Sequence, residues 1–494
     1  MLAVLVGATR KGWRSGIFLF LLLGLSVVGS AQTKVYFPFY SPDTVQLHTL
    51  ALTQKAGVKT SMPLPKSSSV TYRNHFKRIV DESAAYAYNR VRYSALLDEE
   101  LNPFIQNIYQ RIVKNNPGLP ASQLILSKSP IENAFALSNG TIVFNVGLLA
   151  RLENESQVAF VISHELAHVY FQHMQTGIKQ TLDALYDKEH QKEVRQIVRQ
   201  VYNTHSKLEN LALKFSMNNN FHRRGHEKQA DSLAFTMLLK TDFDPAQAYT
   251  ALQLMDKMDA PANQRPLELN SWFSCQSFQL PPSEKQKPKS IFAVIPEVKD
   301  YEMSDTLKTH PDCKKRMGYI KELALRTSIT TEFATHISQE LSALQLNCNR
   351  EIVQSWFDMQ RYDYALYQAL LQLNASPNDD YLQAMVMLCL HQFKDHFERH
   401  QFADVVSNVS DEQPNNLKEL LQFLHLLNLS DFKGLSSCYQ QKAPIKSQGN
   451  EYALLAQYAW AILQNDVSKA TEAQAAYYTQ YKNGRFKKYF IPKL

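Results

Sequence analysis

The chain has 494 residues, 45% hydrophobic and 20% charged, enough for two or three domains with a sizeable core and unlike a disordered polypeptide. Its formal charge of +7 falls to 50 − 46 = +4 once the first 31 residues, which hold Arg10, Lys11 and Arg14 and no acid, are set aside. So weak and dispersed an excess gives no electrostatic basis for binding nucleic acid.

Taken from its start, the sequence opens on Arg10, Lys11 and Arg14, followed by the apolar run Ile17–Gly29 and by small residues at Gly29, Ser30 and Ala31. This pattern predicts a signal peptide over 1–31, cleaved after Ala31. The charge-free window Ser15–Thr33 leaves an uncleaved anchor as the alternative. No later window is long and apolar enough to cross a bilayer, so no integral membrane domain is expected, and the cell envelope or exterior is the expected compartment.

Residues 32–70 are polar and punctuated by proline and are read as an extended lead-in. Tyr72–Leu97 and Asn102–Asn115 have helical periodicity, the second stopped by Asn116-Pro117-Gly118. Gln123–Ser127 and Thr141–Val146 read as strands, with Asn139-Gly140 as a turn before the second. A helix over Gln157–His173 follows, with Asn154 as N-cap and Gln157 as its capping-box partner. Gln175–Met217 is too charged for a membrane hairpin and reads as solvated helix; Arg223–Lys240, Pro245–Met258 and Pro311–Leu325 read as further helices. Between the last two, residues 260–309 hold six prolines and are expected to be irregular and lid-like. From about residue 331 the character changes. Ile352–Leu373, Asp380–His391, Leu417–Leu427 and Tyr452–Leu463 are spaced like a helical-hairpin array, and Tyr362, Ala365, Leu366 and Ala369, closed by Ala375 and Pro377, form one tetratricopeptide-like unit. The five cysteines make no CxxC pair, and Cys275–Cys313 is the first candidate disulfide.

The chemistry lies in His164-Glu165-Leu166-Ala167-His168. Residues four apart on a helix stand on one face, so His164 and His168 present two imidazoles to one metal ion, with Glu165 beside them as a base for water. A catalytic zinc takes a third protein ligand, and Glu227 is the candidate. Asp231, one turn further on, is placed to accept a hydrogen bond from a ligand histidine. His173, His205, His222 and His226 are not needed as ligands once His164, His168 and Glu227 fill the site.

The pair HELAH at 164–168 and ExxAD at 227–231 resembles metallopeptidase family 48, gluzincins of the HtpX, BepA and CAAX-prenyl-protease type. The run Asn133-Ala134-Phe135-Ala136-Leu137 with Gly140 and Val146-Gly147-Leu148-Leu149, then Asn154-Glu155, His173, Arg224 and Thr309-His310-Pro311 with Arg316, is similar to the family's other motifs. The resemblance covers roughly 80–325. It implies a mainly α fold with a small β-sheet: a zincin-like metallopeptidase domain over 71–330, followed by an α-helical, tetratricopeptide-like solenoid over 331–494, as in the periplasmic BepA-like branch. It further implies one Zn2+ held by His164, His168 and Glu227, with Glu165 as general base and acid and Asp231 and Arg224 supporting the ligands. Gln229 stands where the family often has a second acid.

The expected activity is a zinc-dependent metalloendopeptidase acting on envelope or outer-membrane polypeptides in the periplasm or cell envelope, with the solenoid recruiting clients or assembly machinery. A chaperone-like scaffold with a latent zinc site is the alternative, and a zinc hydrolase of a non-peptide bond a third. Asn139, Gly140, Thr141 and Val143 are read as an edge strand binding extended substrate by backbone pairing, or as simple sheet completion. His310 is expected either to reach the fourth zinc position and hold the enzyme inactive or to assist the oxyanion.

Overall fold

The computed structural model describes residues 44–66, 68–187, 192, 225–258, 266–280, 313–327, 337–410, 413–445, 450–482 and 484–490. The expected signal segment and most of the charged insert after residue 187 lie outside them, as do much of the proline-rich stretch, Arg224 and His310.

The extended lead-in expected over 32–70 is corrected: Thr44–Ser61 is an 18-residue helix, α1. Leu47, Ala51, Gln54, Val58 and Met62 recur every three or four residues and are buried. That stripe lies on α2 (Val70–Ser94), whose Ser69 cap accepts from the Tyr72 amide and whose stripe runs Tyr72, Phe76, Val80, Ala84, Ala87, Val91. The prolines that flank α1 drew the sequence reading away from it. α3 (Leu101–Asn115) buries Phe104, Ile105, Ile108 and Ile112.

The sheet has three strands, β1 (Gln123–Ser127), β2 (Ala134–Ala136) and β3 (Thr141–Asn145), in the order β1-β3-β2. β1 runs parallel to β3 and β2 antiparallel to it. β3 is therefore central, and all five of its residues are buried. The expectation that Thr141 and Val143 belong to a substrate-binding edge strand is thus corrected, because β1 and β2 already pair with both sides of that strand. The turn expected at Asn139-Gly140 is present, with Gly140 at φ +85°, where a side chain would be strained. Asn139 Nδ2 and Thr141 Oγ1 both donate to Gln54 Oε1 on α1, at 2.6 Å each. These residues tie the strand to the first helix.

β2 is one of the two edge strands of the sheet and is too short and alanine-rich to be legible as a strand. Asn145 N donates to Asn133 O, and Leu137 N to Thr141 O. Residues 133, 135 and 137 thus bond toward β3, and the alternation of an antiparallel ladder turns the N–H and C=O of Ala134 and Ala136 to the other side.

α4 (Val146–Leu149) follows β3 directly. At Gly147 a Cβ would stand 2.2 Å from the Pro130 carbonyl oxygen. Gly147→Ala must therefore push backbone apart, and a loss of about 1–3 kcal/mol is expected, read as a lowered denaturation midpoint.

α5 (Glu155–Tyr170) carries the HExxH residues and is apolar nearly all round, because α3, β2, β3 and α8 (Gln247–Met258) pack on it. Its cap is as expected: Asn154 accepts from Gln157 N at 3.0 Å, and Gln157 Oε1 accepts from Glu153 N at 2.7 Å. Asn154 Nδ2 also donates to Gln247 Oε1, and Gln157 Nε2 to Thr250 Oγ1, so a buried polar network locks the start of α5 to α8. α6 (His173–Tyr186) leaves α5 through Gln172, which has a left-handed backbone. Residues 225–238 form the next helix, α7. α9 (Leu269–Phe273) is a short turn of helix, and α10 (Cys313–Arg326) packs on α8.

The C-terminal region is helical, as expected, but the helix read over 352–373 is two: α11 (Gln339–Asp358) and α12 (Tyr362–Leu373). Gln360, at φ 61°, turns the chain between them. Then come α13 (Asp380–Glu398), α14 (Asn415–Leu426), α15 (Asp431–Lys442), α16 (Glu451–Leu463) and α17 (Val467–Gln480). Successive packing of α11, α12 and α13 is followed by α16 on α13 and α17 on α16, so the array is not strictly sequential. α11 rests on α4, and Ser355 Oγ donates to Lys128 O while Gln345 Nε2 donates to Leu149 O.

The candidate pair Cys275–Cys313 is also corrected. Cys275 is bridged to Cys438 on α15, 163 residues away, and Cys313 lies buried at the start of α10, outside that bridge. Phe273 stacks on Phe423 of α14, and Phe278 lies so close to Gly434 that a Cβ there would meet its ring at 2.4 Å. Burial of these aromatic rings seats segment 266–280 on the C-terminal helices, which no pattern in the sequence announces.

Candidate metal centre

α5 and α7 meet at three electron-rich atoms. His164 Nε2 and His168 Nε2 are 3.0 Å apart, and each is 3.5 Å from a Glu227 carboxylate oxygen. Zinc bonds of about 2.0–2.2 Å in tetrahedral geometry put neighbouring ligand atoms roughly 3.3–3.6 Å apart. Among the described residues these three form the metal-capable group, with all ligand atoms within 4.8 Å of one another. Two imidazole lone pairs and a carboxylate repel one another in a buried site unless a cation or proton lies among them, so the set fits a zinc ion.

The surroundings fix the ligands. His164 Nδ1 lies 2.9 Å from Asp231 Oδ1. Asp231 is fully buried and is gripped by Arg316 of α10, whose Nε and Nη2 donate to its two oxygens at 2.8 and 2.7 Å. Arg316 Nη1 also stands 3.3 Å from Glu227. One guanidinium thus braces both acids of α7. Asp231 stands within hydrogen-bond reach of His164 Nδ1; the part of Arg316 does not follow from its motif, because only folding brings α10 to α7. His168 is approached by His173, Nδ1 to Nδ1 at 2.9 Å, and His173 Nε2 lies 3.1 Å from Gln229 Oε1. Sequence pattern gives His173 and Gln229 no part behind a ligand; the signals are the family-like histidine five residues beyond the motif and Gln229 two residues after Glu227. His226 stacks on His173 at 4.1 Å and is not among the ligand group. Glu165 is buried on α5. Arg224, His205, His222 and His310 lie outside the described residues.

Electrostatics follow from this geometry. Burial acts to lower the pKa of Asp231's partner His164, but hydrogen bonds to Asp231 and Glu227 prevail and raise it to about 9. Burial acts to raise Asp231, and Arg316 outweighs it, leaving the carboxyl at about 2. Burial lowers His173 to about 4. In the metal-free protein a proton on His164 therefore adds to the positive charge that Arg316 brings to the two acids. The stability contributed by the raised His164 is complete below its ordinary 6.5 and is lost as pH rises through about 9. That contributed by the depressed Asp231 is present above 3.8 and is lost as pH falls toward about 2. Zinc must displace the His164 proton. Zinc affinity, measured by competition with a chromophoric chelator, is expected to rise about tenfold per pH unit over roughly pH 7–9, with one proton released per ion. A pH-independent affinity would contradict this.

Two histidines four apart on a buried helix, a glutamate from the following sequence, and a small sheet beside them define a gluzincin-type metallopeptidase domain. Residues 99–324 match the model of Peptidase family M48. It is 32% identical over 146 residues to the mitochondrial metalloendopeptidase OMA1 of Arabidopsis thaliana, covering 28% of this chain and 27% of that protein. It is 33% identical over 100 residues to a protease HtpX homolog of Pelotomaculum thermopropionicum, covering 19% of this chain and 34% of that one. A putative beta-barrel assembly-enhancing protease of Vibrio cholerae is 30% identical over 108 residues, covering 20% and 22%. The matched segment thus spans between about a fifth and a third of each relative.

Proposed function

We propose that the chain is a zinc-dependent endopeptidase whose clients are misfolded or unassembled envelope proteins. The convergence of His164, His168 and Glu227, with Glu165 between the two histidines in sequence, carries the reading. When bound, zinc supplies the Lewis acidity that polarises a peptide carbonyl and makes water acidic near neutral pH. The Glu165 carboxylate takes the proton of the attacking water and delivers it to the leaving amide nitrogen. Asp231, braced by Arg316, keeps a proton on His164 Nδ1 so that Nε2 offers its lone pair. The outward backbone groups of Ala134 and Ala136 support binding of an extended polypeptide by strand addition, which tolerates many sequences.

Envelope clients are supported by the apolar segment after Arg14 and by the similarity to the beta-barrel assembly-enhancing protease of Vibrio cholerae. Among the described residues no helix is long and apolar enough to cross a membrane. The C-terminal helices, fastened to the catalytic domain through α11 and the Cys275–Cys438 bridge, offer a surface for recruiting clients. The test is metal content and cleavage of a chemically unfolded protein, before and after chelation, for wild type and Glu227→Ala. One zinc per chain and chelator-sensitive cleavage, both lost in the variant, are expected. Suppression of client aggregation without any cleavage would favour the scaffold reading instead.

A further inference from the structure

We propose that His173 and Gln229 form a hydrogen-bond relay that fixes the tautomer and orientation of the ligand His168. The inference rests on the reading of His164, His168 and Glu227 as the metal ligands.

The proton order follows from donor chemistry. The carboxamide oxygen of Gln229 only accepts, so His173 Nε2, 3.1 Å away, carries hydrogen. A neutral His173 then has a lone pair at Nδ1, and that atom lies 2.9 Å from His168 Nδ1. His168 Nδ1 must donate, which leaves the His168 Nε2 lone pair facing Glu227 and His164. His164 reaches the same tautomer by a different route, through the buried carboxylate of Asp231. One ligand is thus backed by a charge and the other by an uncharged ring.

The backbone is arranged for this contact. Five residues along an unbroken helix, a side chain is rotated about 140° from its starting face, so His173 on a continued α5 would point away from His168. The helix instead ends at Tyr170, and Gln172, a non-glycine residue at φ 52°, turns the chain to begin α6 at His173. A left-handed backbone at a residue with a side chain is strained and persists where surrounding structure holds it. The His173 ring is further set by stacking with Phe171 and His226. Gln229 is exposed, so a change there tests the relay without disturbing packing.

The experiment uses the full chain as His173→Phe, Gln229→Leu and Gln229→Glu, with zinc affinity read by chelator competition and ligand geometry by the visible spectrum of the cobalt-loaded protein. His173→Phe keeps a stacking ring and removes the acceptor; zinc affinity is expected to fall about 10–100-fold with altered cobalt bands. Gln229→Leu should move both readouts in the same direction by less. Gln229→Glu keeps an acceptor and should hold wild-type affinity and spectrum. Should His173→Phe fail to fold, the contrast between Leu and Glu at 229 decides. Wild-type affinity in His173→Phe, or equal losses for the two Gln229 variants, overturns the relay while leaving the metal centre intact. A wild-type chain that takes no zinc overturns both.

Discussion

Glu165→Gln is expected to fold and take up zinc like the wild type and to cleave an unfolded protein about 10²–10⁴-fold more slowly. Gln and Glu have nearly the same shape, and residue 165 is buried on a helix packed on all sides, so the substitution leaves no cavity. It also replaces a group that is costly to desolvate when ionised by a neutral one, so stability should hold or rise. The amide cannot accept the proton that leaves attacking water, nor return one to the departing amine. Zinc content, thermal melting and single-turnover cleavage are the measurements. A variant that keeps zinc and cleaves at the wild-type rate would remove Glu165 from the reaction.

Arg316→Met is expected to produce the largest loss of stability in the catalytic domain. The guanidinium is buried, makes two short bonds to Asp231 and stands beside Glu227; burial alone would lower its pKa, but these two acids raise it. Removing one partner of a buried pair leaves an uncompensated charge, a cost of about 3–5 kcal/mol. Asp231→Leu combined with Arg316→Met removes both charges and should recover much of that loss. Zinc affinity should not recover, because His164 has lost its Nδ1 acceptor, and about 10–100-fold weaker binding is expected in the double variant. Melting of the metal-free proteins and chelator competition separate the two effects. If Arg316→Met melted with the wild type, the guanidinium would not be bracing the two acids of α7.

The catalytic core is legible where local rules act alone. The four-residue spacing of His164 and His168 needs only a helix, and the Asn154 cap, Gln157 and the apolar run around them specify that helix. Glu227 and Asp231 lie one turn apart on a second helix, a spacing that alone reads as a solvated face, and it is their place after the HExxH helix that singles them out. β1 matches its expected limits, and β3 stops one residue short of its own, because continuous apolar β-branched sequence reads the same in any context. α1 was hidden by the prolines around it, and β2 by its length of three residues. Neither carries enough local signal to be distinguished from loop, and both are held by packing against elements distant in sequence.

By itself the sequence determined which residues have the type and helical spacing to hold a metal or move a proton, because that depends on side-chain chemistry and helix geometry. The tertiary structure alone decided which strand lies at the sheet edge, which cysteine meets Cys275, and which groups stand behind the ligands. Strand order, a bridge spanning 163 residues and the approach of Arg316 to Asp231 are contacts between segments far apart in the chain. Their energy comes from burying shared surface and from pairing charges once water is excluded, and neither leaves a periodic trace in the residues that make the contact.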